Sequence, residues 1–318
     1  MGRVVVVGSF NVDHVWRVAT LPAPGATLSG EYATGPGGKG FNQVIAACRA
    51  GAATRFACAL GEDAGAQLAR GLCADDGIDL RAAASEAPTG TAGIHVDAAG
   101  RNAIVIGAGA NAALGPAHAQ AALTDLAAGD VVLAQLESPH AAIEAALAHA
   151  RAAGALALLN PAPANAAPAP ALLALADVLT PNETEFAALL AAHVGQRLDP
   201  DAIAALDTSR LHSLCRALAP GATVVVTLGA SGCMVSHGDD LRGDAIASYR
   251  LPSIAAQVVD TTGAGDAFNG ALAASLALRP DAAFADHARF AVRYASRSTE
   301  AAGAALSMPR MPVGTAHG

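Results

Sequence analysis

Short, strongly apolar runs alternate along the chain with longer alanine-rich stretches of helical period. Val4–Val7, Thr54–Ala57, Val131–Leu133, Leu156–Leu159, Val178–Leu179 and Val224–Leu228 are brief and rich in β-branched or aliphatic residues. Such runs read as strands buried on both faces. Between them the pattern predicts helices near Gly40–Ala50, Gly65–Ala74, Pro116–Leu126, Pro139–Ala152, Glu183–Ala192 and Leu211–Leu218, with a further one opening at about Ala264. Strand–helix alternation of this kind predicts an α/β fold, with a mostly parallel central sheet and helices on both faces. Ligands then collect at the carboxyl ends of the strands. Two stretches break the rhythm. Residues 12–34 and 91–106 alternate polar and apolar positions around Pro22, Pro24 and Gly25 in one, and Gly100, Arg101 and Asn102 in the other. They predict antiparallel strands of a small separate β-sheet, either a lid or two surface hairpins without a role. The Pro/Ala-rich stretch Pro161–Pro170 is too short for a linker, so residues 1–318 read as a single domain.

Composition narrows the choice. Apolar residues make up 53 % of the 318 and charged ones 14 %, which describes a globular chain with a substantial core. The net charge of −8, the lack of a basic cluster and the 3 % of aromatic residues argue against nucleic-acid binding. The first residues turn polar too quickly for a signal peptide, and no stretch has the apolar length of a membrane span. Cys48, Cys58, Cys73, Cys215 and Cys233 are scattered without a C-x-x-C spacing. They read as small core residues in a reducing cytoplasm.

The most informative stretch is Asp260-Thr-Thr-Gly-Ala-Gly-Asp266, which follows the apolar pair Val258–Val259. It places the backbone N–H groups of Gly263, Ala264 and Gly265 at a helix N-terminus, where anions bind. A carboxylate at that spot repels a phosphate, yet it suits the removal of a proton from a hydroxyl that attacks a phosphoryl group held by the loop. The plainer reading of Asp266 is a first-turn acid of an ordinary helix start.

Other motifs fall at strand ends. Asn11 and Asp13 share one side of an extended segment and suit vicinal hydroxyls, or form an Asx-turn. In Gly35-Pro-Gly-Gly-Lys-Gly-Phe-Asn-Gln43 the glycines allow close backbone approach and Asn42 offers a donor and an acceptor. The position of Lys39 does not fit a Walker A loop, and a plain turn explains the glycines equally well. Glu137, after Val131–Leu133, is a ligand contact or simple helix-start charge. Asn182 and Glu185, three apart, can address one hydrated Mg²⁺ or form a capping box, or both. Gly229 and Gly232 let a nucleotide lie on bare backbone beside Thr227, or make a tight turn only.

Taken in order, G-S-F-N-V-D, G-G-K-G-F-N-Q, Q-L-E-S-P, N-P-A-P, P-N-E-T-E, T-L-G-x-x-G and D-T-T-G-A-G-D-A-F-N-G resemble the ribokinase branch of the PfkB carbohydrate kinase family, from Val4 to about Pro309. The resemblance implies a ribokinase-like fold and an ATP-dependent kinase acting on the O5 hydroxyl of D-ribose. It implies Asp266 as catalytic base and Gly263, Ala264 and Gly265 as the anion hole. Asn11, Asp13, Gly38, Lys39, Asn42 and Glu137 would hold the sugar. Asn182 and Glu185 would serve Mg·ATP, and Thr227, Gly229 and Gly232 the nucleotide. An activating K⁺ would sit at Asp260, Thr262, Ser298, Ala301, Gly303 and Ser307. Family members form homodimers through their lid sheets, which gives the two odd segments a role.

The chain departs from the pattern at Phe41, at Gly107, near Val292, where the adenine would lie, and at Glu300-Ala-Ala-Gly303 beside the cation site. The first two suggest a reshaped sugar pocket. With Lys39 the only cation on the sugar side, the substrate reads as a neutral polyol and not a sugar phosphate. The alternatives are a nucleoside kinase, with Phe41 or Trp16 stacking on the base, a kinase of another neutral sugar such as deoxyribose or fructose, and a catalytically dead sensor.

Overall fold

The computed structural model describes residues 2–311. Its strands are Val4–Val7 (β1), Asn11–Arg17 (β2), Glu31–Gly37 (β3), Thr54–Leu60 (β4), Asp79–Ala84 (β5), Gly90–Val96 (β6) and Asn102–Gly107 (β7), followed by Val131–Ala134 (β8), Leu156–Leu159 (β9) and Val178–Leu179 (β10). Thr223–Thr227 (β11), Cys233–Ser236 (β12) and Ser248–Leu251 (β13) complete them. The α-helices are Lys39–Arg49 (α1), Ala64–Asp75 (α2), Pro116–Ala121 (α3), His140–Ala152 (α4), Pro170–Leu173 (α5) and Glu183–His193 (α6). Pro200–Ile203 (α7), Thr208–Leu218 (α8), Ala264–Leu278 (α9) and Phe284–Ser298 (α10) follow.

Nine strands form the main sheet in the order β13-β12-β11-β10-β9-β8-β1-β4-β5, parallel from β5 to β11, with β12 antiparallel to both its neighbours β11 and β13. Four consecutive valines make β1, and side chains alternate across a sheet, so β1 feeds two cores. Val4 and Val6 pack toward α1, α9 and α10; Val5 and Val7 pack toward α4, α6 and α8. Full burial of each valine side chain contributes on the order of 1.5–3 kcal/mol. The uniform apolar run is thus the signature of a strand covered on both faces.

The second sheet runs β3-β2-β6-β7. Its β2–β3 and β6–β7 pairs are antiparallel as expected, but β2 pairs with β6 in parallel, Asn11 against Gly90. Each of these strands leaves the main sheet from the carboxyl side of a parallel strand, β1 or β5, so the two hairpins meet pointing the same way. A sequence pattern shows alternation and cannot show that direction.

The helix expected over Pro116–Leu126 stops at Ala121. Arg55 takes the Ala122 carbonyl at 2.8 Å and pairs with Asp125 at 2.5 Å. The chain there is tied to β4 by turns and does not continue the helix. Strands β5, β12 and β13 and helix α10 were not anticipated. The apolar Val258–Val259 pair lies in an exposed loop.

Candidate active site

Helix α9 is capped by Gly263, whose φ of 77° is left-handed, and a Cβ there would lie 2.9 Å from that of Ala304. The turn therefore needs glycine, and it presents the first N–H groups of α9 beside Asp266. The Asp266 side chain is buried at 8 % exposure. It accepts hydrogen bonds from Asn42 Nδ2 and Gln43 Nε2, both at 2.9 Å. These amides reach it because α1 crosses α9 at Gly270, where a Cβ would meet the Gln43 carbonyl oxygen at 2.4 Å. Burial raises the Asp266 pKa; Lys39, Gln43 and Asn42 oppose that rise, and Glu137 adds to it. The result is a carboxylate of raised basicity at a helix tip, a combination suited to proton abstraction.

Around it lie the ends of β1, β2 and β8. Asn11 is buried, and its Oδ1 accepts from Asn111 Nδ2 at 2.8 Å. Glu137 accepts from Ser9 Oγ at 2.6 Å and from the Lys39 backbone N–H at 3.0 Å. Burial pushes the Asp13 carboxyl up to about 7, helped by the negative Glu137 and Asp266. Burial works against the Lys39 ammonium, but Asp266, Glu137 and Glu185 outweigh it and raise its pKa. Three carboxylates thus face one ammonium where the sequence patterns had only separate fragments. Gly38 caps α1 at this point.

Lys39, Asn182, Glu185, Thr227, Gly263 and Asp266 line a cavity of about 170 Å³. It shares Asn182, Thr227, Ala264 and Gly265 with a larger pocket of about 530 Å³, whose walls include Gly229, Gly232, Ala255, Phe268 and Val292. The apolar pocket has the size and lining of a site for a flat heterocycle, and the small cavity beside the helix tip that of a site for an anion. Asn182 and Glu185 do form a capping box, at 2.8 and 2.9 Å, and both also line the cavity. Burial raises the Glu185 pKa.

Of the six residues marked for a monovalent cation, Asp260, Thr262 and Gly303 are joined by hydrogen bonds. Asp260 accepts from Thr262 N–H at 2.9 Å and hydroxyl at 2.6 Å, and from Gly303 N–H at 2.9 Å. Val259 and Asp260 N–H groups donate to the Thr299 carbonyl. Ser298 and Ser307 hydroxyls donate to Ala295 and Ala304 carbonyls. Ala301 is exposed. The donors on offer are carboxylate, hydroxyl and carbonyl oxygens, the set a hard cation takes.

Two expectations about the sugar pocket fail. Phe41 is fully buried, edge-on to Phe10 at 5.0 Å and near Phe56 at 6.0 Å. One helical step from Asn42 turns it into the core, so it can stack on no ligand. Trp16 sits on the face of the small sheet opposite Asn11 and Asp13, among His14, Tyr32 and His95. Gly107 pairs with Thr91, itself opposite Val12 on that outer face, so its missing side chain leaves the pocket unchanged. Residues that were not singled out also meet here, among them Gln43, Asn160, Thr180 and Asn269. The motifs contained three of the four, Gln43, Asn160 and Asn269, and Thr180 directly precedes P-N-E-T-E, but nothing in a one-dimensional pattern told ligand contacts from buried supports.

The family model for pfkB family carbohydrate kinases matches residues 1–311. The chain belongs to that family. Its members transfer a phosphoryl group to a sugar hydroxyl, so the protein is a phosphotransferase. Among relatives, the chain is 35 % identical over 307 residues to the ribokinase of Haemophilus influenzae, covering 96 % of this chain and 94 % of that protein. It is 36 % identical over 310 residues to the ribokinase of Mus musculus, covering 96 % and 91 %. The structure of Arabidopsis thaliana ribokinase complexed with ribose and ATP superimposes with a TM-score of 0.77 at 28 % identity, covering 97 % of this chain and 96 % of that one. Within this pfkB fold, the polar cavity lies beyond the carboxyl ends of β9, β10 and β11, against the start of α9. Among the described residues no helix is long and apolar enough to cross a membrane.

Proposed function

We propose that the protein transfers the γ-phosphoryl group of ATP to the O5 hydroxyl of D-ribose. The observation that carries this reading is the buried Asp266 carboxylate at the tip of α9, inside a cavity whose one ammonium faces three acids. Asp266 takes the proton of the primary hydroxyl as that oxygen attacks phosphorus in line. The N–H groups of Gly263, Ala264 and Gly265 hold the phosphoryl oxygens as charge develops on them. Asn11, Asp13, Gly38, Lys39, Asn42 and Glu137 orient the sugar. A sugar phosphate would meet the surplus of negative charge at Asp13, Glu137 and Asp266, which favours a neutral polyol. The curated relatives named ribokinase and the ribose–ATP complex of the plant enzyme support the choice of ribose and ATP. The outward placement of Trp16 and the burial of Phe41 weigh against the nucleoside-kinase alternative.

Thr227, Gly229 and Gly232 line the nucleotide, with the apolar wall at Phe268 and Val292 under the base. Asn182 and Glu185 would hold hydrated Mg²⁺ beside the phosphates, and the oxygens of the Asp260–Gly303 turn would hold a K⁺ next to the anion-hole loop. Bound there, the divalent ion neutralises phosphate charge in the transition state. We read residues 1–318 as one kinase domain, of which residue 1 and residues 312–318 lie outside the described ones. In it the β3-β2-β6-β7 sheet serves as lid. The lid face that carries Asn11 and Asp13 also presents Val15, Ile94, Ile104 and Ile106, the last two about half exposed. A homodimer clasping through these faces covers that apolar strip. The free thiols, four of five buried, suit a reducing cytoplasm.

A coupled turnover screen over ribose, deoxyribose, fructose, adenosine and pseudouridine, with and without K⁺, tests the reading. Ribose is expected to give the highest kcat/KM. Preference for a nucleoside, or no turnover of any of them, overturns it. Asn11→Ala removes one sugar hydrogen bond and is expected to raise the ribose KM roughly tenfold with little change in kcat, the worth of about one such bond; an unchanged KM takes Asn11 out of the pocket. A carboxyl titrating near 7 also gives sugar affinity a pH dependence. Its ionised form accepts the sugar hydroxyls, so affinity rises as pH increases through about 7 and weakens below it. Isothermal titration of ribose from pH 5.5 to 8.5 should show this trend, and Asp13→Asn should flatten it.

A further inference from the structure

Gln43 is wholly buried on α1 and lines neither cavity. One of its Nε2 protons goes to Asp266 Oδ1 at 2.9 Å and the other to Asn160 Oδ1 at 3.0 Å. Its Oε1 accepts from Gln135 Nε2, which is also fully buried. From Asn160 the chain of bonds runs on: Nδ2 donates to the Thr180 carbonyl at 2.9 Å, Thr180 Oγ1 donates to Asn269 Oδ1, and Asn269 Nδ2 donates to the Gly265 carbonyl at 2.8 Å. The path therefore leaves the Asp266 carboxylate, crosses α1 and the ends of β9 and β10, and returns to the residue before Asp266. It is a closed ring.

Direction in this ring is set throughout. The Asp266 carboxylate only accepts, so Gln43 must offer it an N–H and its Oε1 must accept from Gln135, whose own Oε1 is buried without a partner; the Thr180 carbonyl orients the Asn160 amide in the same way. Asn42, the other donor to Asp266, belongs to the sugar side of the cleft and also keeps a buried, unpartnered Oδ1. A ligand can therefore reorient Asn42, whereas Gln43 is beyond the reach of any ligand. We propose that Gln43 is a positioning residue for phosphoryl transfer: through this ring it locks the Asp266 carboxylate to the anion-binding turn, so that base and anion hole keep one geometry whatever fills the cleft. The proposal rests on the kinase reading above and deepens it.

The test uses the full-length enzyme with ribose and ATP. Gln43→Met keeps the length and burial of the side chain and removes the ring bonds. It is expected to lower kcat by about 10- to 100-fold, the scale of a misplaced reacting group, with both KM values within about threefold of wild type. Because the amide that favours the ionised carboxylate is gone, the acid limb of the kcat–pH profile moves to higher pH. The charges that face Asp266, namely Lys39 on α1, Glu137 after β8, Asp13 on β2 and Glu185 on α6, are untouched by the change. A packing role alone would lower the melting temperature without moving that limb. Gln135→Met, which does not touch Asp266, is expected to give a smaller loss of kcat by freeing the Gln43 amide to turn. A folded Gln43→Met enzyme with kcat within twofold of wild type, or with an unmoved acid limb, overturns the proposal. If Gln43→Met does not fold, Gln135→Met decides: wild-type kcat overturns the ring, and reduced kcat with unchanged KM supports it. Asp266→Asn run in parallel separates the two levels of argument. Normal turnover in Asp266→Asn sinks the kinase reading, while an inactive Asp266→Asn beside a normal Gln43→Met sinks only the ring.

Discussion

Replacing Asp266 by asparagine is expected to cut kcat by about a hundredfold or more while leaving ribose binding close to wild type. A hundredfold corresponds to about 2.7 kcal/mol of transition-state stabilisation, within the range for loss of a general base. Asparagine keeps the volume of the buried side chain but has no carboxylate to receive the proton. It also meets two N–H donors, Asn42 Nδ2 and Gln43 Nε2, with only one oxygen to offer them. One donor is left without an acceptor, so a melting-temperature loss of a few degrees is expected. ATP affinity should hold or improve, because a negative charge beside the phosphates has gone. Coupled-assay kinetics and calorimetric titration of each ligand check the three statements together. Turnover above a tenth of wild type would remove Asp266 as base.

Gly263→Val should be nearly as damaging for a different reason. A residue with a Cβ held at φ 77° costs roughly 1–2 kcal/mol, and a β-branched one more. The new Cβ would also lie 2.9 Å from Ala304 Cβ, so the turn must move. Movement there displaces the first N–H groups of α9, and losing one such donor lowers kcat by about 10²–10³. The expected result is a folded protein with kcat reduced by about a hundredfold and a raised KM for ATP, with Asp266 still in place. Gly263→Ala should fall between the variant and wild type. A valine variant whose kcat stays within threefold of wild type would show that the α9 turn does not carry the phosphoryl charge.

Much of this site was readable before any geometry, and the reason is local. Asp266 stands three residues after Gly263, and a glycine-rich turn opening an alanine-rich helix is a short-range pattern. The same holds for Asn182 and Glu185, whose capping box spans three residues. Phe41 and Trp16 misled because residue type was legible and direction was not. Which way a helical or strand residue points depends on what its element packs against, here the Phe10–Phe41–Phe56 group and the outer aromatic face of the small sheet. The cutoff of α3 at Ala121 has a similar origin, since Arg55, from a strand far back in the chain, claims the Ala122 carbonyl.

By itself the chain determined the strand–helix alternation, the two-faced burial of β1, the break that becomes the small sheet, and the motif order of a pfkB kinase. Those properties are periodicities and short spacings, and they persist in any conformation of the chain. Only the tertiary structure decided that β2 and β6 run in parallel, that Asp13 and Glu137 close on Asp266, and that Gln43 reaches a carboxylate 223 positions away. That last contact depends on a helix crossing close enough to exclude a Cβ at Gly270, and the crossing is a property of packed elements and not of either segment alone.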